Sequence, residues 1–163
     1  MKLFTYMSVL LIWLLRGVLR VDPYTDVPTY YVSKVYPKTN SVYFLSKRRA
    51  QGLERMNELC KTIGAYLVEL DSRDEQKFVS AFLRAHSKSF AIIGANDVRR
   101  EGIFVHYNSK KPIPALRWYR TQPDNWRNEE DCVRMWPYGL NDVTCRLRGA
   151  YMCELRLKGY HGK

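Results

Sequence analysis

Four cysteines, Cys60, Cys132, Cys145 and Cys153, restrict this chain more than any other feature, because they are even in number and follow an apolar leader. Met1-Lys2 precedes a run from Leu3 to Leu15 without a charge, closed by Arg16. That run has the length of a secretory h-region and is short for a bilayer span. Residues 1–20 therefore read as a signal peptide and the protein as secreted and extracellular, with an uncleaved membrane anchor as the alternative. An even set of cysteines in an exported chain predicts disulfides. Four cysteines can pair in three ways, and spacing alone does not choose among them. Zinc is the rival use of thiolates, but there is no Cys-x-x-Cys, and His86, His106 and His161 are scattered.

Without the leader the chain has ordinary single-domain length, enough to bury a core and well served by staples. The leader carries Lys2, Arg16 and Arg20 and no acid, so losing three cations takes the formal charge from +11 to +8. A basic exported protein suits polyanions such as sulfated glycans or anionic surfaces. Dispersed lysines and arginines also simply solvate a surface.

Residues 21–40 are Pro- and Tyr-rich without periodicity, an N-terminal arm or an edge strand. Ser41 to Leu45 is a strand candidate. Between Arg49 and Thr62, Leu53, Met56, Leu59 and Cys60 recur at helical spacing, with Gly64 as the stop. The spacing predicts a helix carrying Cys60 on its buried face. A strand over Tyr66–Leu70 follows, then a helix capped by Asp71 or Ser72 that runs through Phe78, Val79, Phe82 and Leu83. Ala91–Gly94 reads as a buried strand. Beyond Asn96 the chain breaks into short apolar pieces cut by Gly, Pro and Asn, with strands predicted at Arg117–Tyr119, Cys132–Met135 and Ala150–Cys153. Two early helices followed by short strands make an α+β layout in one domain.

The chemistry is concentrated late in the chain. Gln122-Pro123-Asp124-Asn125-Trp126 is followed by Glu130-Asp131-Cys132 and then by Asn141-Asp142 ahead of Cys145. Recurring amide and carboxylate oxygens suit a hard, oxygen-seeking cation such as Ca²⁺. An indole beside them suits the C–H face of a sugar.

Taken with Glu58-Leu-Cys60-Lys-Thr-Ile-Gly64, Glu75-Gln76, Ile92-Ile93-Gly94-Ala-Asn-Asp97, Glu101-Gly102 and Tyr151-Met-Cys153-Glu154 in that order, the chain resembles the C-type lectin-like domain. The resemblance runs from about Tyr43 to Glu154, and places the domain at 41–156 with a tail at 157–163. It implies an α+β fold of two helices, small antiparallel sheets and a long disulfide-stapled loop region. It also implies the pairs Cys60–Cys153 and Cys132–Cys145, worth about 4–5 and about 3 kcal/mol in the chain-entropy treatment. The tighter pair would hold Asn141 and Asp142 opposite Glu130 and Asp131.

Carried over by position, the sugar-bridging Ca²⁺ ligands are Gln122, Asp124, Glu130, Asn141 and Asp142. Each vicinal hydroxyl of a sugar could then give its proton to a carboxylate and accept from an amide N–H. Pro123 corresponds to the family's cis-proline. Asp97, Glu101, Asn125 and Asp131 stand at the positions of an auxiliary Ca²⁺. In this family the order Gln-Pro-Asp accompanies galactose and N-acetylgalactosamine, and Trp126 stands where galactose-binding relatives place a ring; its alternative role is a core tryptophan. The chain departs from the pattern at Leu140, where the family usually has Trp, at Ala95 in a leucine place, and in lacking a glycine-rich insertion after Trp126. That last departure implies modest selectivity.

A secreted Ca²⁺-dependent lectin, used in innate recognition, adhesion or extracellular matrix, is the leading reading. Its partners would be glycans or glycoproteins with terminal galactose-type sugars, and no nucleic acid is expected. Single sugars bind weakly, so avidity would call for a homo-oligomer, although no heptad or collagen-like segment is present. The alternative is a lectin-fold structural, matrix or protein-binding factor with a vestigial sugar site. Paired carboxylates can also mean glycoside hydrolysis, but here the resemblance assigns them to a metal, and no Ser/His/Asp or Cys/His set supports an enzyme.

Overall fold

Leu53, Met56, Asn57 and Cys60 fall on one face of a helix over Leu53–Lys61 (α1) and are all buried. In the computed structural model, which describes residues 29–158, α1 starts after Gly52 at φ +84° and gives way to Gly64 at φ +70°, conformations that glycine adopts without a steric penalty. The signal peptide expected over residues 1–20 lies outside the described residues.

The second helix, Arg73–Ala85 (α2), is capped by Ser72, whose hydroxyl accepts from the Glu75 N–H at 3.2 Å. The Glu75 carboxylate reaches back to the Asp71 N–H at 2.7 Å, closing a variant of the reciprocal cap. Its other oxygen accepts from the Tyr43 hydroxyl at 2.5 Å. This fully buried carboxylate thus fastens the helix start to a core strand.

Among the described residues the strands are β1 Tyr30–Val32, β2 Ser41–Ser46, β3 Ala50–Gln51, β4 Tyr66–Leu67, β5 Ala91–Asn96, β6 Val105–His106, β7 Cys132–Trp136, β8 Gly139–Val143, β9 Arg148–Gly149 and β10 Met152–Arg156. They form sheets ordered β1-β2-β10-β4, β3-β9 and β6-β5-β7-β8. Part of the expected N-terminal arm is therefore an edge strand, since Tyr30 to Val32 pair with Ser46 to Phe44. The first and third sheets meet at Gly94, where a Cβ would lie 2.7 Å from the Leu67 carbonyl oxygen. The Cys60–Cys153 disulfide joins α1 to β10 with Cα atoms 5.5 Å apart, and Cys132–Cys145 closes the β7-β8 hairpin at 4.9 Å. Both pairings are those the resemblance implies. Leu140, which replaces the usual tryptophan, is fully buried in the main core, paired with Met135 across β7-β8.

Arg117–Tyr119, predicted as a strand, makes instead an isolated parallel bridge between Trp118 and Leu140. Two backbone bonds hold it, Tyr119 N–H to Leu140 O at 2.8 Å and Leu140 N–H to Arg117 O at 3.0 Å. The approach needs a residue without a side chain opposite, because a Cβ on Gly139 would lie 2.7 Å from the Tyr119 nitrogen. This tether delivers the chain to residues 120–130 alongside the end of β8.

Candidate functional site

β8 is a buried strand, Gly139–Val143, that carries two polar residues just before its last. Asn141 and Asp142 are 5% and 0% exposed, and burying such groups is costly unless each is partnered. The Asp142 carboxylate takes its partners from the loop above, accepting from the Asp124 N–H at 3.2 Å and the Asn125 N–H at 2.6 Å. The loop is further knitted by the Asn125 amide oxygen accepting from the Glu130 N–H at 3.1 Å. The Glu130 carboxylate accepts in turn from the Trp126 N–H at 3.3 Å. The Gln122–Pro123 peptide bond is cis.

These contacts bring carboxylate oxygens of Asp124, Glu130 and Asp142 within 4.8 Å of one another. Burial, followed by the Asp142 and Asp124 charges, pushes the Glu130 carboxyl above its ordinary range. The Gln122 amide oxygen is buried without a hydrogen-bond partner. Three converging carboxylates and an unpartnered amide oxygen are the donor set a hard divalent cation satisfies, so the residues present fit Ca²⁺. Asn141 is engaged otherwise: its oxygen accepts from the Arg134 guanidinium at 3.3 Å, while its amide donates to the Asp142 carbonyl.

Arg134 carried no role in the sequence analysis. Its guanidinium lies 4.6 Å from the Trp136 ring centre and 5.3 Å from that of Phe90, a geometry for cation–π attraction. Its charge acts to hold the Glu130 carboxyl down. The signal was available in register, because β7 and β8 pair Arg134 with Asn141 and Val133 with Asp142. Asn141 and Asp142 therefore face Arg134 and Val133 rather than Glu130 and Asp131 as expected.

Trp126 is 57% exposed, which removes it from the core. Trp118 and Trp136 pack at 4.9 Å against Phe104 and Tyr119. Arg127 lies over the Trp126 ring at 4.0 Å. Asn125, Arg127 and Asn128 have φ of +41°, +61° and +56°, so the short loop turns through left-handed residues where a glycine-rich insertion is lacking. Asparagine tolerates this conformation best, which leaves Arg127 as the strained member.

Of the residues expected at an auxiliary ion, Asp97 is buried with Oδ1 unpartnered and Oδ2 accepting from the Gly102 N–H at 2.8 Å. Its carboxyl is pushed up by burial and then, among nearby charges, by Glu101 and Asp131. Its N–H donates to the Asp131 carbonyl at 3.0 Å. Among the described residues Asp97, Glu101 and Asp131 do not draw three carboxylates together as the first group does. The Asn125 oxygen is committed to Glu130.

The sequence profile described as Lectin C-type domain matches residues 49–155. C-type lectin 37Db of Drosophila melanogaster is 28% identical over 117 residues, 69% of this chain and 76% of that protein. The CD209 antigen of Homo sapiens is 30% identical over 114 residues, 69% of this chain and 28% of that protein. Collectin-11 of Danio rerio is 27% identical over 118 residues, 72% and 44% respectively, so the chain spans less than half of these last two relatives. Among solved structures, the mouse Scavenger Receptor C-type Lectin carbohydrate-recognition domain superposes with a TM-score of 0.66 at 22% identity over 81% of this chain and 97% of that one. C-type lectin CEL-I from Cucumaria echinata gives 0.64 at 22% identity over 77% and 94%. Both share the fold. With a profile match over well more than half its length, the chain belongs to the C-type lectin domain family.

Proposed function

We propose that the protein is a secreted, Ca²⁺-dependent lectin for glycans and glycoproteins ending in galactose or N-acetylgalactosamine. The observation that supports this best is the convergence of Asp124, Glu130 and Asp142 within 4.8 Å beside the unpartnered Gln122 oxygen. Gln122, Asp124, Glu130, Asn141 and Asp142 would hold the ion, which when bound coordinates two vicinal hydroxyls of a sugar. The carboxylates accept hydroxyl protons and the Gln122 amide donates. Asn141 must release Arg134 before its own oxygen can serve. The exposed Trp126 ring offers an apolar platform for the C–H face of galactose, and the Gln-Pro-Asp order supports that sugar class. Relatives whose names include a carbohydrate-recognition domain, and a cow CD23 domain solved in the presence of an oligosaccharide, support the wider class of ligand.

One observation favours a second reading. Arg134 already occupies the Asn141 oxygen and partly neutralises the acids, as a protein-binding or matrix factor with a vestigial sugar site would require. Retention on galactose resin separates the two. The lectin is retained in Ca²⁺, released by EDTA and eluted by galactose before mannose. Absence of retention, or retention indifferent to EDTA, overturns the lectin reading.

A further inference from the structure

The β3-β9 ribbon pairs Gln51 with Arg148 and Ala50 with Gly149, and it carries arginines on both sides. Arg48 and Arg49 lead into β3, Arg148 opens β9, and Arg55 projects from the first turn of α1. All four are exposed, and together they line one open cleft of about 610 Å³. Leu59 and Tyr151 contribute to its wall. Among the described residues no acidic side chain lines it. Glu58 pairs with Arg55 at 3.5 Å but stands outside the lining, and Arg49 and Arg148 make no ion pair among the described residues. Four guanidinium groups at one concavity are far from the even scatter that surface solvation produces.

We propose that this cleft is a second, Ca²⁺-independent binding site for a sulfated polysaccharide. The guanidinium fork matches the oxygens of a sulfate two at a time, and a cleft rimmed by four of them suits a ligand with repeated anions rather than one ion. The partly buried Leu59 gives a sugar ring an apolar surface between its sulfates. Nucleic acid is disfavoured because bases need an open ring to stack on, and Tyr151 is 2% exposed. A membrane surface is disfavoured because the exposed large apolar side chains, including Val98, Ile103, Trp126, Tyr138 and Leu157, line no part of the cleft, so nothing there inserts between lipids. The cleft shares no residue with the Asp124, Glu130 and Asp142 group, so the two sites can fail independently.

The test is binding of a heparin octasaccharide to the full protein in EDTA, which silences any Ca²⁺-bridged sugar contact. The octasaccharide should bind and its desulfated form should not. Arg49→Gln with Arg148→Gln should weaken binding about tenfold, as expected for the loss of two charge-assisted contacts, and should flatten the dependence on salt. Lys34→Gln with Lys158→Gln, two exposed cations outside the cleft, should leave binding within about twofold. Circular dichroism of both variants checks that the β3-β9 ribbon is kept. Equal loss in the two double variants, equal binding of desulfated heparin, or no binding overturns the proposal. So does tighter binding of phosphatidylserine vesicles or single-stranded DNA, which would assign the cleft to another class of partner.

Discussion

Changing Glu130 to Gln should raise the melting temperature of the ion-free protein and abolish its response to Ca²⁺. With carboxylate oxygens within 4.8 Å, each pair of charges repels by about 0.9 kcal/mol at the dielectric of water and about 3.5 kcal/mol at an effective value of about 20. Glu130 takes part in two such pairs. It is half-buried and Asp124 is exposed, so solvent screening keeps each pair near the lower figure, about 1.8 kcal/mol for the two, and Arg134 offsets part of it. A gain of about 1–2 kcal/mol remains, or about 2–6 °C for a chain of this size. The amide oxygen of glutamine can still accept from the Trp126 N–H, so the loop keeps that bond. In wild type, Ca²⁺ at about a hundredfold excess over its Kd adds about 2.7 kcal/mol and reverses the order of the two proteins. Differential scanning calorimetry in EDTA and in Ca²⁺ measures both effects. A lower melting temperature for the variant in EDTA would show that the three carboxylates do not strain the ion-free fold. Equal Ca²⁺ responses in both proteins would remove Glu130 from the site.

Glu75 has its pKa raised to about 7, chiefly by burial, so its stabilising contribution is complete below the ordinary glutamate range and is lost as pH rises through about 7. In EDTA the melting temperature should therefore rise as pH falls from about 8 to about 5, and Glu75→Gln should flatten that segment of the profile; an unchanged slope in the variant assigns the effect elsewhere. Trp126→Ala should weaken galactose binding by about 1 kcal/mol while leaving Ca²⁺ affinity unchanged, read by resin competition and calorimetry; loss of Ca²⁺ binding would mean that the ring supports the loop instead. Gln122→Glu with Asp124→Asn keeps the oxygen count and charge and should move sugar preference toward mannose, and continued elution by galactose alone would refute a role for the triplet order. Replacing Cys132 and Cys145 with Ser should cost about 3 kcal/mol and weaken Ca²⁺ binding, which a urea titration with and without Ca²⁺ reads; unchanged Ca²⁺ affinity would show that the hairpin holds its ligands without the staple.

The helices were legible because their information is local. Leu53, Met56 and Cys60 repeat at helical spacing, and Ser72 with Glu75 announces a capped start. The two cysteine pairs were legible only through family order, since spacing left three pairings open. Residues 117–119 misled because a β-like run satisfies its backbone by one tether to Leu140, and the sequence marks that approach only by the smallness of Gly139. The site's acids were visible as residue types, but their convergence depends on Asp142 accepting two N–H groups from the loop, a contact between positions 17 and 18 residues apart. Arg134 stayed hidden because an arginine in a strand reads as a solvated face. Only the register of the β7-β8 hairpin places it on Asn141. The compact turn at Asn125–Asn128 was unreadable for a related reason: left-handed backbone in Arg127 is imposed by the loop and not preferred by the residue.

The two hydrogen bonds that Asp142 accepts come from the main chain of Asp124 and Asn125, and no side chain of the loop takes part in them. The anchor is therefore indifferent to which residues occupy those positions, provided neither is proline. The floor of the site belongs to the core, continuous with Leu140, whereas its roof is an exchangeable panel hung on a fixed hook. Substitutions at positions 122, 124 and 126 can retune what the roof presents to a ligand without loosening its attachment. A change at Asp142 that removes its acceptor oxygens would loosen the panel and take away one of the proposed metal donors at once, so a loss of binding in such a variant reports the loop and the ion together.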